Sequence, residues 1–168
     1  MARGSVGART LELARSARAG VLLLVSTAAA FLSGVPLVFP SLGPSAYVLA
    51  TADDPPSGRV VLGGHAVGVA AGALAYHALA GGHVVTTAVP PGAFATVRLG
   101  VAGALAVAAT TFGMRALGVS HAPACATTLI VSLGLLTTPL QLAGVVASVG
   151  ALLAADAGID RVGGHPEN

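Results

Sequence analysis

The chain has 168 residues, of which 55% are hydrophobic and 8% are charged. Soluble domains carry about 25% charged residues, so this composition predicts that lipid, and not water, surrounds most of the surface. The formal net charge is +2, and no basic face with interleaved aromatic residues is visible, which excludes a nucleic-acid partner. Cys125 is the single cysteine, and it excludes both an intrachain disulfide and a cysteine-based zinc site.

In chain order, the first half predicts an arm, two membrane spans and a short helix between them. Residues 1–18 form an amphipathic arm whose arginines suit the cytoplasmic membrane surface. Apolar runs over 19–38 and 60–80 are each near the roughly 20 residues that a helix needs to cross the hydrocarbon. Between them, residues 44–52 are too few to cross. They begin with Pro44 and small residues, which is how a short helix starts.

The second half predicts the same order of elements. Apolar spans cover 93–117 and 140–157, and residues 158–168 form a C-terminal tail. Residues 123–136 carry no charge and fall in the length range of a re-entrant or buried segment. A fifth span over the same residues is the alternative. The sequence therefore predicts an all-α membrane protein with four spans, 19–157, and two short re-entrant or broken helices.

A weak internal repeat relates the two halves. Arg18-Ala19-Gly20-Val21 is echoed by Arg98-Leu99-Gly100-Val101, and the Pro-containing segments follow each copy at similar distances. With two spans per copy, the repeats are predicted to be parallel, so Arg18 and Arg98 face the same membrane surface. Duplicated units in membranes commonly hold a binding site where they meet, near the midplane.

Arginine positions predict the orientation. The arginine-rich N-terminus is expected in the cytoplasm, and four spans return the C-terminus to the same side of the cell membrane. Arg115 then falls on the outer side, against this rule. Four helices are few to enclose a pathway, so the lipid-embedded chain is expected to form a homo-oligomer.

Two histidines lie inside or beside apolar segments, where an ionisable group is costly and marks a functional candidate. His65 follows two glycines within the second span, and His121 precedes the second short segment. If both short segments are helices, their amino-terminal ends and nearby hydroxyls suit a small anion without any basic side chain. A structural histidine bonded to a carbonyl, and hydroxyls that satisfy local backbone, are the alternatives. The candidate substrate-binding residues are Gly43, Pro44, Ser45, His65, His121, Pro123, Cys125 and Thr127.

Enzymatic activity is not expected. The spans contain no nucleophile–base pair, phosphate-binding loop or paired carboxylates. The sequence therefore predicts no cofactor and no metal site.

Three segments carry a resemblance to a known family. These are Pro40-Ser41-Leu42-Gly43-Pro44-Ser45-Ala46, Gly63-Gly64-His65-Ala66-Val67-Gly68 and His121-Ala122-Pro123-Ala124. Together they resemble the HPP family of integral membrane proteins, which is named for a His-Pro-Pro motif. In this chain Ala122 replaces the first proline of that motif. The resemblance implies four transmembrane helices and a transporter, with nitrite uptake associated with plastid and cyanobacterial members.

Residues and resemblance together predict a membrane transporter or channel for a small solute, and specifically for a small anion such as nitrite. The alternative is a non-transporting membrane subunit that oligomerises through glycine-rich helix faces. Gly64, Gly68 and Gly72 form such a face at four-residue spacing, for which close packing of another backbone is the favoured role.

Overall fold

The computed structural model describes residues 2–33 and 40–163, and this part of the chain is helical without strands. Six helices follow one another in the order long, short, long, long, short, long. They are α1 (Ala2–Ser33), α2 (Leu42–Thr51), α3 (Gly58–Ala75, continued by a π-helical turn, Tyr76–Ala80), α4 (Phe94–Leu117), α5 (Ala124–Ser132) and α6 (Pro139–Gly163).

Four of these helices are long and apolar enough to cross a membrane. The candidate spans are Gly7–Leu32, Gly58–Ala80, Phe94–Leu117 and Pro139–Val162. They confirm the predicted all-α membrane architecture. Helix α1 is unbroken at Arg18, so the predicted arm and the first span form one helix. Residues 34–38 of the predicted first span lie outside the described residues.

Contacts between α1, α3 and α6 fix the relative directions of these helices. Arg18 on α1 pairs with Asp156 and Asp160 near the end of α6. The start of α3 lies at the same level, because Gly58 contacts Leu153. Helices α1 and α3 therefore both run away from this end of the bundle, and α6 runs towards it. We call it the arginine-rich end.

Helix α4 runs in the same direction as α6. Arg98, near its start, donates from Nε to the carbonyl of Leu79 at 2.9 Å. Met114, near its end, lies beside Gly64 in the first part of α3. At a rise of about 1.5 Å per residue, Leu79 lies about 31 Å along α3 from its start at the arginine-rich end. Arg98 thus belongs to the opposite end.

This arrangement corrects two expectations. Arg18 and Arg98 do not share one end of the bundle, so the contacts contradict parallel repeats. Because α4 and α6 run in the same direction, residues 118–138 carry the chain from the arginine-rich end to the opposite end, which a re-entrant segment does not do. The error arose from counting only long apolar helices as crossings. Helices α2 and α5, of ten and nine residues, each lie between two long helices that run in the same direction.

The two short helices point towards opposite ends. Leu42 of α2 packs in a buried cluster with Leu22 of α1 and Leu152 of α6, and Asp53 just after α2 pairs with Arg15. Helix α2 therefore runs from the middle of the bundle towards the arginine-rich end.

Helix α5 runs from the middle towards the opposite end along the glycine face of α3. A Cβ added at Gly68 would lie 2.8 Å from the carbonyl oxygen of Ala124. One added at Gly72 would lie 2.9 Å from both the carbonyl oxygen of Thr128 and the Cβ of Val131. Since real Cβ atoms do not approach backbone so closely, glycine is what allows α5 to sit against α3.

Candidate functional site: a buried histidine pair

The most polar part of the interior lies where α2 and α5 begin, against α3. The Oγ of Ser45 lies 2.9 Å from Nε2 of His65 and 3.1 Å from Nε2 of His121. The two imidazole rings have centroids 5.3 Å apart. All three side chains are buried. One serine hydroxyl thus joins two histidines that are far apart in the sequence.

Threonines of α5 and α4 extend this cluster. Nδ1 of His65 lies 2.7 Å from Oγ1 of Thr127. Thr128, the next residue of α5, has its Oγ1 2.8 Å from Oγ1 of Thr110. The same hydroxyl donates to the carbonyl of Ala124. Both nitrogens of His65 are therefore engaged, which satisfies a buried imidazole without a charged partner.

The starts of the two short helices present different polar groups, paired backbone amides at α5 and an unpaired hydroxyl at α2. The first amides of α5, those of Ala124, Cys125 and Ala126, donate to the carbonyls three residues earlier. At α2, the Oγ of Ser41 is fully buried and has no hydrogen-bond partner. An unpaired buried hydroxyl costs about 1–3 kcal/mol. The start of α2 therefore holds an unused hydrogen-bonding group one turn before Ser45, the residue that joins the two histidines.

The structure joins half of the predicted site residues by hydrogen bonds. Ser45, His65, His121 and Thr127 form one chain of contacts. The other four surround it with less burial: Gly43, Pro123 and Cys125 are half-buried, and Pro44 is exposed. Ala122 is exposed as well.

Two features were missed by sequence reasoning. Ser41 and Thr110 join or border the polar cluster, but single hydroxyl residues in an apolar run give no signal of their own. The pairing of Arg18 with Asp156 and Asp160, at 2.6 and 2.7 Å, explains two acidic residues for which the sequence offered no role. Residues 138 positions apart can be paired only when the fold is known.

Two cavities open towards the ends of the bundle. One of about 660 Å³ lies at the arginine-rich end and reaches Leu49 and Ala50 of α2. One of about 390 Å³ lies at the opposite end beside His83 and Leu133, just after α5. The histidine pair lies between them along the two short helices. Its side chains contact one another directly, so a solute that binds there must replace one of their hydrogen bonds.

A metal site is not formed by these side chains. Among the described residues, no group of three or more His, Cys, Asp or Glu side chains is positioned to hold a metal ion. Two imidazoles bridged by a serine hydroxyl instead offer neutral hydrogen-bond donors and acceptors.

Long apolar helices around a buried polar cluster, with half-length helices that begin at that cluster, fit a membrane transporter or channel. A sequence profile of the HPP transmembrane region matches residues 7–159. The chain therefore belongs to the HPP family of integral membrane proteins. No protein with a curated description matches the chain, and no solved structure matches it.

Proposed function

We propose that the protein moves a small inorganic anion, such as nitrite, across the membrane, and that the anion binds beside Ser41, Ser45, His65 and His121. The observation that carries this proposal is the buried, unpaired hydroxyl of Ser41 at the start of α2. Helix starts are positive ends of the helix dipole and favour anions. Enzymatic activity is not part of the proposal, since the cluster contains no nucleophile–base–carboxylate arrangement.

The absence of a guanidinium or ammonium from the cluster suits transport. Permeation requires binding that is favourable enough for entry and weak enough for release. Hydroxyl and imidazole N–H groups stabilise an anion through neutral hydrogen bonds. The nearby arginines of α3 and α4, Arg59 and Arg115, are exposed. An anion at the cluster would thus meet donors but no fixed opposite charge.

Helix directions support a cytoplasmic location for both termini. Seven of the eight arginines lie at the arginine-rich end, and Arg98 alone lies at the other. The positive-inside rule assigns the arginine-rich end to the cytoplasm. Arg115, which opposed the rule when α4 was assigned the other direction, now agrees with it. The seven are Arg3, Arg9, Arg15, Arg18, Arg59, Arg115 and Arg161.

The glycine face of α3 does not support the scaffold alternative, because Gly68 and Gly72 are covered by α5, and Gly64 by Met114 and His121, within the same chain. A surface for lipid or a second copy remains on α1, where Phe31 and Leu32 are 86% and 83% exposed. Association into a homo-oligomer is therefore part of the proposal, with α1 as the helix that has the least covered surface.

Flux through reconstituted protein tests this function. Purified protein in liposomes should carry nitrite, nitrate, formate or chloride faster than protein-free liposomes do. Ser41→Ala and His65→Ala should lower that flux, whereas His77→Ala, an exposed histidine on the same helix run, should keep it. Equal flux with and without the wild-type protein, for all four anions, would reject the proposed function.

A further inference from the structure

The hydroxyl of Ser45 is shared between two imidazoles, which restricts the directions of the hydrogen bonds around it. Ser45 carries one proton, yet its Oγ lies within hydrogen-bond distance of Nε2 on both His65 and His121. The carbonyl oxygen of Ser41, 3.3 Å from Oγ of Ser45, is a third and more distant acceptor for that proton. When Ser45 donates to one imidazole instead, the other imidazole must donate to Ser45. A continuous bridge between the two imidazoles therefore has two arrangements, which differ in the direction in which its protons point.

We propose that His121, Ser45 and His65 form a proton-transfer path, and that the protein takes up one proton together with each anion. This inference rests on the proposed function and adds the coupling ion. A path with two equivalent hydrogen-bond directions is what proton transfer through side chains requires, because each group accepts one proton as it gives up another.

The transfer step conserves every proton. Water delivers a proton to Nδ1 of His121, which makes an imidazolium. Nε2 of His121 then gives its proton to Oγ of Ser45, as the original Ser45 proton passes to Nε2 of His65. His121 returns to the neutral form with its proton on Nδ1, and His65 carries the positive charge. Ser45 again holds one proton, which now points to Nε2 of His121. Thr127 accepts the hydrogen bond from Nδ1 of the protonated His65.

Among the described residues, the hydrogen-bond and ring-contact partners of the histidine pair include no acidic side chain that could balance that charge. The elements packed around it offer Ser45 from α2, Thr110 and Met114 from α4, and Thr127 and Thr128 from α5. Cys125 is half-buried in an apolar cluster. On α6, Val149 and Leu152 pack with Val61 of α3. In the described part of the chain, Asp156 and Asp160 are engaged by Arg18 at the arginine-rich end.

Uncompensated charge in a low-dielectric interior is costly. An anion beside the imidazolium supplies the missing counter-charge, so each makes binding of the other more favourable, as linkage requires. Anion and proton then cross together as a neutral pair. This explains why neutral histidines, with no arginine, lie at the centre of the bundle. It also predicts that the membrane potential has little influence on flux.

The test measures protons and anions in the same liposomes. Nitrate is the first probe, because its acid is strong and does not leak through lipid; nitrite follows, with protein-free liposomes as background. A nitrate gradient should acidify the interior with one proton per anion. Clamping the membrane potential with potassium and valinomycin should leave the rate unchanged. Nitrate or nitrite flux with no accompanying proton overturns the proton path and leaves the proposed function standing. No flux of either anion overturns both.

A second measurement does not depend on flux. In protein labelled with ¹⁵N-histidine near neutral pH, added nitrate or nitrite should increase the imidazolium signal of His65 or His121. It should not change that of His77. Ser45→Ala removes the bridge and should slow anion-driven acidification about tenfold or more, in the range typical of lost proton-transfer groups. Ser45→Thr, which keeps the hydroxyl, should restore it. Unchanged imidazole signals on addition of both anions, or unchanged acidification in Ser45→Ala, would overturn the path.

Discussion

The two short helices, α2 and α5, occupy corresponding places in the two halves but are held differently. Helix α5 is fitted between α3 and α4, with backbone against glycines and its hydroxyls paired. Helix α2 lies against α1 and α6 through larger apolar side chains, and it carries the unpaired Ser41 and the exposed Tyr47. The second half of the bundle therefore fixes its short helix through close backbone contact. In the first half, the hydroxyl of Ser41 stays unpaired one turn before Ser45.

The directions of the helices give the largest effect to test, because the outcome is all or none. In a Cys125→Ala background, cysteines at Ser120 and Thr138, which are exposed on either side of α5, should be labelled from opposite sides of the membrane. A membrane-impermeant maleimide added to sealed vesicles measures this. Labelling of both positions from the same side would restore the re-entrant segment over residues 123–136. If the sides differ, superposition of the halves in inverted orientation becomes the expected internal symmetry.

Glycine substitutions compare how closely the two short helices are packed. Gly68→Val should lower the free energy of unfolding by about 2–4 kcal/mol, because its side chain would overlap the backbone of α5. Gly43→Ala at the start of α2 is the matched control, since an added Cβ there has no atom within 4 Å. Thermal unfolding of the two variants in detergent measures the difference. Equal loss at both sites would mean that α5 is no more tightly seated than α2.

Ion pairs at the arginine-rich end give the next effect. Arg18→Gln should cost about 1–3 kcal/mol, because it leaves Asp156, whose side chain is 15% exposed, without its charged partner. Arg15→Gln should cost far less, since its partner Asp53 is 93% exposed and well solvated. Unfolding of Arg18→Gln, Asp156→Asn and the double variant isolates the coupling. If the stability loss of the double variant equals the sum of the two single losses, the two residues do not interact and the pair does not join α1 to α6.

Removal of a hydroxyl gives the smallest effect. The change in the free energy of unfolding should differ in sign between a variant in α5 and one at the start of α2. Thr128→Ala should destabilise the protein by about 1 kcal/mol, because it removes a satisfied hydrogen bond and leaves Thr110 unpaired. Ser41→Ala should leave stability unchanged or slightly raised, because the unpaired hydroxyl disappears. Anion flux measured on the same samples should fall for Ser41→Ala. A stability loss in Ser41→Ala equal to that of Thr128→Ala would assign Ser41 a structural role.

The amino-acid sequence by itself determined that lipid surrounds the protein, where the helices lie, and which side chains can bind or carry protons. Apolar runs of about 20 residues with few charges form helices that suit lipid, and the four long helices follow from that pattern. Prolines and length marked the two short helices. His65 and His121 stood out because ionisable groups are rare in such segments.

Only the tertiary structure decided the directions of the helices and which side chains are in contact. Whether Arg18 and Arg98 share an end depends on how often the chain crosses between them, and the ten-residue helix α2 is too short to give a hydropathy signal for a crossing. The contacts of Ser45 with two imidazoles, and of Arg18 with Asp156, join residues 20 to 138 positions apart. Such distances are set by packing of whole helices, in which the glycine face of α3 admits α5 close enough to bring His121 to the start of α2.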